Sequence, residues 1–108
     1  MTKLLLVLEQ QARIDEISLK IGVHNDHVKK IFNSQQRLRE NIKSLENVQN
    51  SVLVERYLKD LNQEEDDLRK KNKEVETLEA EREKKREELK VLKLSLNLES
   101  AKLLAQLN

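Results

Sequence analysis

The apolar residues in the first half of the chain recur at alternate steps of three and four, the heptad pattern of a coiled-coil helix. The a and d positions of this pattern are Val7, Gln10, Ile14, Ile17, Ile21, His24, Val28, Ile31, Gln35, Leu38, Ile42 and Leu45. We therefore predict that residues 1–46 form one helix with a narrow apolar seam, interrupted by a few polar side chains.

Gly22 is the weak position of this first helix. Glycine inside a helix costs about 1 kcal/mol relative to alanine. Asn25 and Asp26 follow it closely and are residue types that cap a new helix. Because the heptad phase is the same on both sides of Gly22, we predict a continuous helix rather than a break.

A second helix is predicted over residues 53–108. The same spacing passes through Val54, Leu58, Leu61, Glu65, Leu68, Asn72 and Val75. Leu78 then follows Val75 by three where four is due, which predicts a stammer that overwinds the coiled coil locally. Asn72 would be a polar a position, which specifies register at a cost in stability.

Few apolar residues mark the seam between residues 62 and 90, where charged positions separate the leucines and valines. A seam with few apolar contacts opens easily. We therefore predict faster amide exchange in 62–90 than in the segments 38–45 and 54–61.

Residues 47–52 are predicted to form a bend between the two helices. Six seam pairs have residue numbers that add to 99 or 100: Leu45 with Val54, Ile42 with Leu58, Leu38 with Leu61, Ile31 with Leu68, His24 with Val75 and Ile21 with Leu78. Asn47, Asn50 and Ser51 tolerate turn geometry and can cap the second helix.

The predicted fold class is therefore all-α, an elongated antiparallel two-helix hairpin coiled coil that forms a single domain. One alternative stays open at this point. A continuous helix paired antiparallel with a second copy would satisfy the same contacts, and the bend has neither glycine nor proline.

Composition supports the all-α class and excludes several others. The 108 residues include 38% charged and 2% aromatic residues, one glycine and no proline, too few turn formers and aromatic side chains for a sheet or mixed domain. A net charge of +1 produces no field that attracts nucleic acid, so no nucleic-acid partner is expected. The absence of cysteine fits a reducing compartment, and we predict a cytoplasmic location.

The apolar stretch "KLLLVL" near the start is shorter than the core of a secretory signal, and no apolar run approaches the roughly 18 residues that span a bilayer. We therefore predict neither a signal peptide nor an integral membrane segment.

Candidate chemistry is sparse. His24, Asp26 and His27 could suggest a metal site, but zinc sites use three or four protein ligands, and no further ligand cluster is present. Carboxylates are abundant but have no dry pocket to make them general acids or bases. We predict no catalytic, cofactor-binding or metal residues, no small-molecule substrate and no enzyme activity. The stretch "EREKKREEL", residues 81–89, is interpreted as a solvated helix face.

Two leucine clusters exceed what one seam needs: Leu4, Leu5, Leu6 and Leu8, and Leu94, Leu98 and Leu104. In the hairpin both lie at the end opposite the bend. Excess apolar surface is typical of a site for another protein or a second copy. We predict a scaffold or oligomerisation module. The alternative is a chaperone or escort that grips a client or an ATPase through this end.

The segments "SQQRLRENIKSL" and "LVERYLKDLNQEEDDLRKKNKEVETLEAEREKKREELK" carry a resemblance, at Gln36–Asn41, Arg56, Tyr57 and Leu61–Asp66. Over about residues 12–90 the chain resembles the coiled-coil tail of large bacterial proteins of unknown function. This resemblance implies a helical hairpin that ends a longer chain and has no activity. In architecture alone the chain is also similar to prefoldin subunits and to a flagellar export chaperone.

Overall fold

A computed structural model describes residues 2–46 and 50–107. These residues form two helices, α1 over Thr2–Ser44 and α2 over Ser51–Leu107, and no strand. Side chains of α1 bond to side chains of α2 with antiparallel pairing, as between Lys3 and Ser95 and between Gln35 and Glu65. The predicted all-α antiparallel hairpin is thus confirmed.

Asn50 starts the second helix. Its side-chain Oδ1 accepts a hydrogen bond from the backbone N–H of Leu53 at 3.2 Å, and its carbonyl accepts one from Val54 at 3.2 Å. This is the geometry of a helix N-cap, as predicted for Asn50. The predicted bend 47–52 needs one correction, because Ser51 and Val52 follow the cap and belong to α2. Residues 47–49 of that bend lie outside the described residues.

The first helix ends two residues earlier than predicted. After Ser44 the N–H groups of Leu45 and Glu46 donate to the carbonyls of Ile42 and Lys43, at 3.0 and 3.2 Å. These hydrogen bonds join residues three positions apart, as in a 3₁₀ turn. They tighten the last turn and satisfy backbone carbonyls that have no partner within the helix.

The predicted continuity of α1 through Gly22 is confirmed. The helix is unbroken from Thr2 to Ser44, and Gly22 has no positive φ angle. A methyl group at Gly22 would meet no atom within 4 Å. The glycine is therefore required neither by the backbone nor by packing.

The chain forms two compact units, which we name by sequence. The terminal unit comprises Met1–Ile21 and Thr77–Asn108, and the central unit comprises Gly22–Glu76. Buried apolar residues of the terminal unit are Val7, Ile14, Ile17, Ile21 and Leu89, with Leu92 and Leu96 packed against this core. Those of the central unit are Leu68 and Val75.

The predicted stammer in α2 is wrong. An unbroken alternation of steps of three and four passes through buried and half-buried positions: Val54, Tyr57, Leu61, Glu64, Leu68, Lys71, Val75, Leu78, Arg82, Lys85, Leu89, Leu92 and Leu96. Four neighbours of this row are half-buried as well: Leu53, Glu65, Glu74 and Ser95. Lys71 lies in the seam and Asn72 is exposed, and Tyr57 replaces Leu58, which is 46% exposed. Long side chains can lay their apolar stems across a seam while their polar heads reach water.

The seam between residues 62 and 90 is better covered than predicted. It contains Leu68, Val75 and Leu89, whereas the segments 38–45 and 54–61 contain no buried residue. Arg82 and Lys85 are half-buried. The methylene groups of their side chains fill seam positions that have no apolar residue. The order of amide protection inferred from the sequence is therefore reversed, with 62–90 expected to exchange more slowly.

Candidate interaction surface

A buried glutamine sets the pairing of the helices in the terminal unit. The side chain of Gln10 is 8% exposed, and its Nε2 donates to the carbonyl of Lys85 at 3.1 Å and to Oε2 of Glu88 at 3.0 Å. A buried amide is tolerated when its hydrogen bonds are made. Because the partners of Gln10 are specific to one register, the bonds favour that register over a slipped one.

Polar contacts in the terminal unit lie within a few residues of the predicted register. Lys3 Nζ donates to Ser95 Oγ at 2.8 Å and also pairs with the carboxylate of Glu99. Further along the same unit, Arg82 Nη1 donates to Ser18 Oγ at 3.2 Å. The residue numbers of the pairs Lys3–Ser95 and Ser18–Arg82 add to 98 and 100, close to the predicted value of 99 to 100.

The start of α1 contacts the last turns of α2 through Lys3, which reaches Ser95 and Glu99. Every residue from Asn97 to Leu107 is exposed. Leu103 and Leu107, which the sequence places on the same helix face as Leu96, are 62% and 83% exposed. Sequence analysis missed these two as surface residues, because their spacing alone places them on the helix face of Leu96.

Exposed leucines accumulate at this end of the terminal unit. We call them the apolar end: Leu4, Leu5, Leu6, Leu8, Leu94, Leu98, Leu103, Leu104 and Leu107. Each is between 44% and 83% exposed. The contact of Lys3 with Ser95 brings the two predicted clusters to the same end, as expected.

A groove on the apolar end is open to solvent and has a volume of about 390 Å³. It is lined by Thr2, Leu4, Leu5 and Leu8. Three leucine side chains around one concave surface can accept an apolar side chain of another protein.

Hydrogen bonds between side chains of α1 and α2 join the two helices in the central unit. Gln35 is 2% exposed, and its Nε2 donates to Oε2 of Glu65 at 3.1 Å, so these two polar residues face each other across the seam. The neighbouring hydroxyl of Ser34 donates to Oε1 of Glu64. The other carboxylate oxygen of Glu64 is buried and accepts no bond from any residue that the structure describes.

The two histidines occupy different surroundings. His24 is half-buried, with Nδ1 3.4 Å from Glu74 Oε2 and 3.4 Å from Lys71 Nζ. His27 is exposed and lines an open groove with Lys30 and Lys70. Residues 2–46 and 50–107 contain no group of three or more potential ligands that could hold a metal ion. His24 is thus a polar seam residue that contacts one carboxylate and one ammonium group.

The charged stretch at residues 81–89 lies mostly at the surface. Glu81, Glu83, Lys84, Arg86, Glu87 and Glu88 are exposed. Arg82 and Lys85 are half-buried, and Leu89 is buried in the core. The stretch therefore combines a solvated face with three seam positions.

Neither of the two described helices contains a segment apolar enough to cross a membrane. Comparisons of the chain with protein-family models, with curated proteins and with solved structures find no significant match.

Proposed function

We propose that the protein is a non-enzymatic coiled-coil module that binds protein through its apolar end and acts as a scaffold or in oligomerisation. The observation that carries this proposal is the group of nine exposed leucines at one end of the terminal unit. The seam does not use them, and an accumulation of exposed apolar side chains is characteristic of interaction sites.

The shape of the polar grooves favours binding over catalysis. An active site gathers reactive groups in a pocket that excludes water. The groove beside His27 and a second one beside Arg86 are open to solvent and lined largely by lysine and arginine. Such surfaces supply solubility and long-range electrostatics rather than acid–base chemistry.

The resemblance to coiled-coil tails extends the proposal. A hairpin of this kind at the end of a longer protein would join copies of that protein, or join it to another, through the apolar end. We expect this to take place in the cytoplasm, with protein as the partner and neither nucleic acid nor a small molecule.

A second candidate is an escort that holds a client protein or an ATPase. The groove between Leu4, Leu5 and Leu8 favours it, because a concave apolar surface can grip a side chain from a foreign helix. An escort would bind this partner without associating with itself.

The test substitutes serine at Leu4, Leu5 and Leu8, all exposed, and compares the variant with the unchanged protein. Light scattering gives the mass of the purified chain, and pull-down from the cells that make it gives foreign partners. The proposal predicts that the variant keeps its helicity by circular dichroism and loses either self-association or a specific partner. Serine at the equally exposed Leu19, Val23 and Val52 is the matched control.

Identical mass and identical partners for the unchanged protein and the Leu4, Leu5 and Leu8 variant would contradict a role for the apolar end in binding.

A further inference from the structure

We propose that the partner of the apolar end is a foreign protein that lays an acidic amphipathic helix along one face of α2. This proposal deepens the proposed function and rests on it. The face contains an open groove of about 280 Å³, which we call the basic groove. Its lining residues are Arg86, Leu89, Lys90, Lys93, Leu94 and Asn97.

The three cations of the basic groove are unpaired. Arg86, Lys90 and Lys93 are exposed, and within residues 2–46 and 50–107 none of their side chains makes a hydrogen bond or an ion pair. The nearby carboxylate of Glu88 instead accepts the amide of Gln10. Like charges four residues apart, as in Arg86 and Lys90, destabilise a helix. Carboxylates of a partner would remove this repulsion and form ion pairs.

Two leucines line the basic groove together with the cations. Leu89 is 6% exposed and belongs to the core of the terminal unit, whereas Leu94 is 55% exposed and belongs to the apolar end. Cations alone would suit any anion. Because an exposed leucine accompanies them, the complementary surface places an apolar side chain next to its carboxylates.

The spacing of the cations fits a partner helix. Arg86, Lys90 and Lys93 are separated by steps of four and three, so they share one face of α2 about one turn apart. From Arg86 to Asn97 the groove extends about 16 Å along the helix axis, at 1.5 Å per residue. A helix alongside it presents side chains at the same period, so acidic residues three and four apart would meet successive cations.

The charges of this face disfavour other occupants. The basic grooves of two copies, packed on each other across a twofold axis, would place cations against cations. An extended anionic surface, whether a lipid bilayer or a nucleic acid, would also cover Glu83 and Glu87, which are exposed and lie three and seven residues before Lys90 on the same side of α2. These carboxylates would be repelled. A single partner helix can pair with the cations and leave the two carboxylates in water.

The experiment uses fluorescent synthetic peptides as probes. The acidic peptide has three heptads with leucine at a and d, glutamate at e and g, and alanine elsewhere. Two matched peptides carry glutamine or lysine in place of every glutamate. Fluorescence anisotropy at low salt is expected to show that the acidic peptide binds at least about 10-fold more tightly than the glutamine peptide, and that the lysine peptide does not bind. Added salt is expected to weaken binding of the acidic peptide, because its ion pairs are exposed.

A charge variant locates the binding. The groove variant replaces the three cations by glutamine: Arg86→Gln/Lys90→Gln/Lys93→Gln. It is expected to bind the acidic peptide about 10-fold more weakly than the unchanged protein. The charge control removes one arginine and two lysines that are equally classed as exposed in the central unit: Lys29→Gln/Arg37→Gln/Lys59→Gln. It is expected to bind like the unchanged protein.

An apolar variant tests the contribution of the leucine. Leu94→Ser is expected to weaken binding of the acidic peptide by at least about 5-fold, because it removes apolar surface that the partner would cover. Leu19→Ser, at another exposed position of the terminal unit, is the control and is expected to have no effect. Circular dichroism checks that all variants remain equally helical.

Three results would overturn the proposal. The first is equal affinity for the acidic, glutamine and lysine peptides, or no binding of the acidic peptide. The second is equal loss of binding in the groove variant and its charge control. The third is binding to vesicles of phosphatidylserine and phosphatidylcholine, or to duplex DNA, that the groove variant loses while the acidic peptide does not bind, because the face would then serve a membrane or a nucleic acid.

The serine variant at Leu4, Leu5 and Leu8 separates this proposal from the proposed function. If that variant loses a partner or self-association and the acidic peptide does not bind, the proposed function stands and the acidic partner helix is wrong. If the unchanged protein self-associates through the apolar end and captures no foreign partner, the foreign partner is wrong in the same way. If the variant keeps its mass and its partners, the proposed function itself fails.

Discussion

The terminal and central units use the same helix pair but stabilise it differently. In the terminal unit, isoleucine, valine and leucine fill the core around Ile14, and Gln10 is the one buried polar residue among residues 2–21 and 77–107. In the central unit the most buried side chain is Gln35, which is hydrogen-bonded to Glu65, and His24 contacts Lys71 and Glu74. Polar contacts join the helices in both units, and the terminal unit adds a larger set of buried apolar side chains.

This difference has consequences for stability and for specificity. Apolar burial is non-directional and contributes the larger free energy per residue. Hydrogen bonds add little net stability, but an unmade one is costly, so they select a register. The terminal unit is therefore expected to dominate the free energy of unfolding, and the buried amides of both units, Gln10 and Gln35, to determine how the helices align.

The largest effect is expected for Ile14→Ala. Ile14 is 4% exposed and packs in the cluster with Val7 and Leu89, so the substitution is expected to cost about 2–4 kcal/mol. Urea unfolding followed by circular dichroism measures it. The control is Leu19→Ala at an exposed site, expected to cost no more than about 0.5 kcal/mol. Equal effects would show that apolar burial does not dominate the terminal unit.

A smaller loss is expected for Glu65→Ala, which removes the acceptor of the Gln35 amide. The buried amide is then left without its partner, at a cost of about 1–2 kcal/mol. Adding Gln35→Leu to this variant removes the unmet donor and is expected to restore most of the loss. If urea unfolding shows no recovery of stability in the double variant, Glu65 stabilises the protein through an interaction other than its hydrogen bond with Gln35.

Gly22→Ala tests the first residue of the central unit and is expected to stabilise the protein. Because nothing lies within 4 Å of the new methyl group, the gain is the helix propensity difference of about 1 kcal/mol. Thermal unfolding should show a melting temperature roughly 4–8 °C higher. Ala12→Gly, at an exposed helix position of the terminal unit, is the reverse control and should lower it similarly. A lower melting temperature for Gly22→Ala would indicate that the protein needs the conformational freedom of glycine at this position of the helix.

The smallest effect is expected for Asn72→Leu. The heptad read from the sequence places Asn72 in the seam and predicts that leucine there raises the melting temperature while loosening oligomeric uniqueness, whereas the structure places Asn72 at the surface. An exposed substitution changes the free energy of unfolding by no more than about 0.5 kcal/mol, here as a slight gain from helix propensity. A gain of several kcal/mol in the free energy of unfolding, measured in urea, would show that Asn72 lies in the seam and Lys71 at the surface.

Much of the fold can be predicted from the sequence because α1 carries a strong signal. Its seam positions are nearly all isoleucine, valine or leucine, so few other phases are possible. The second helix is ambiguous between residues 54 and 75, where Tyr57 competes with Leu58 and Lys71 with Asn72. Counting apolar residues favours Leu58, and the structure buries Tyr57 more deeply.

The candidate surface was only partly predictable for a related reason. The sequence shows directly that Leu4–Leu8 and the set Leu94, Leu98 and Leu104 contain more leucines than one seam needs. Leu103 and Leu107 have the spacing of seam residues, and spacing alone does not say whether a partner helix reaches them.

The amino-acid sequence alone determined the all-α class, the two helices and the register near 99, because these follow from local propensity and from apolar spacing. The tertiary structure decided which of the three possible caps, Asn47, Asn50 or Ser51, starts α2, and which face of α2 enters the seam. The second of these depends on how long side chains such as Glu64 and Lys71 place their methylene groups and polar ends between two helices. That arrangement is a property of the packed pair, and neither helix specifies it by itself.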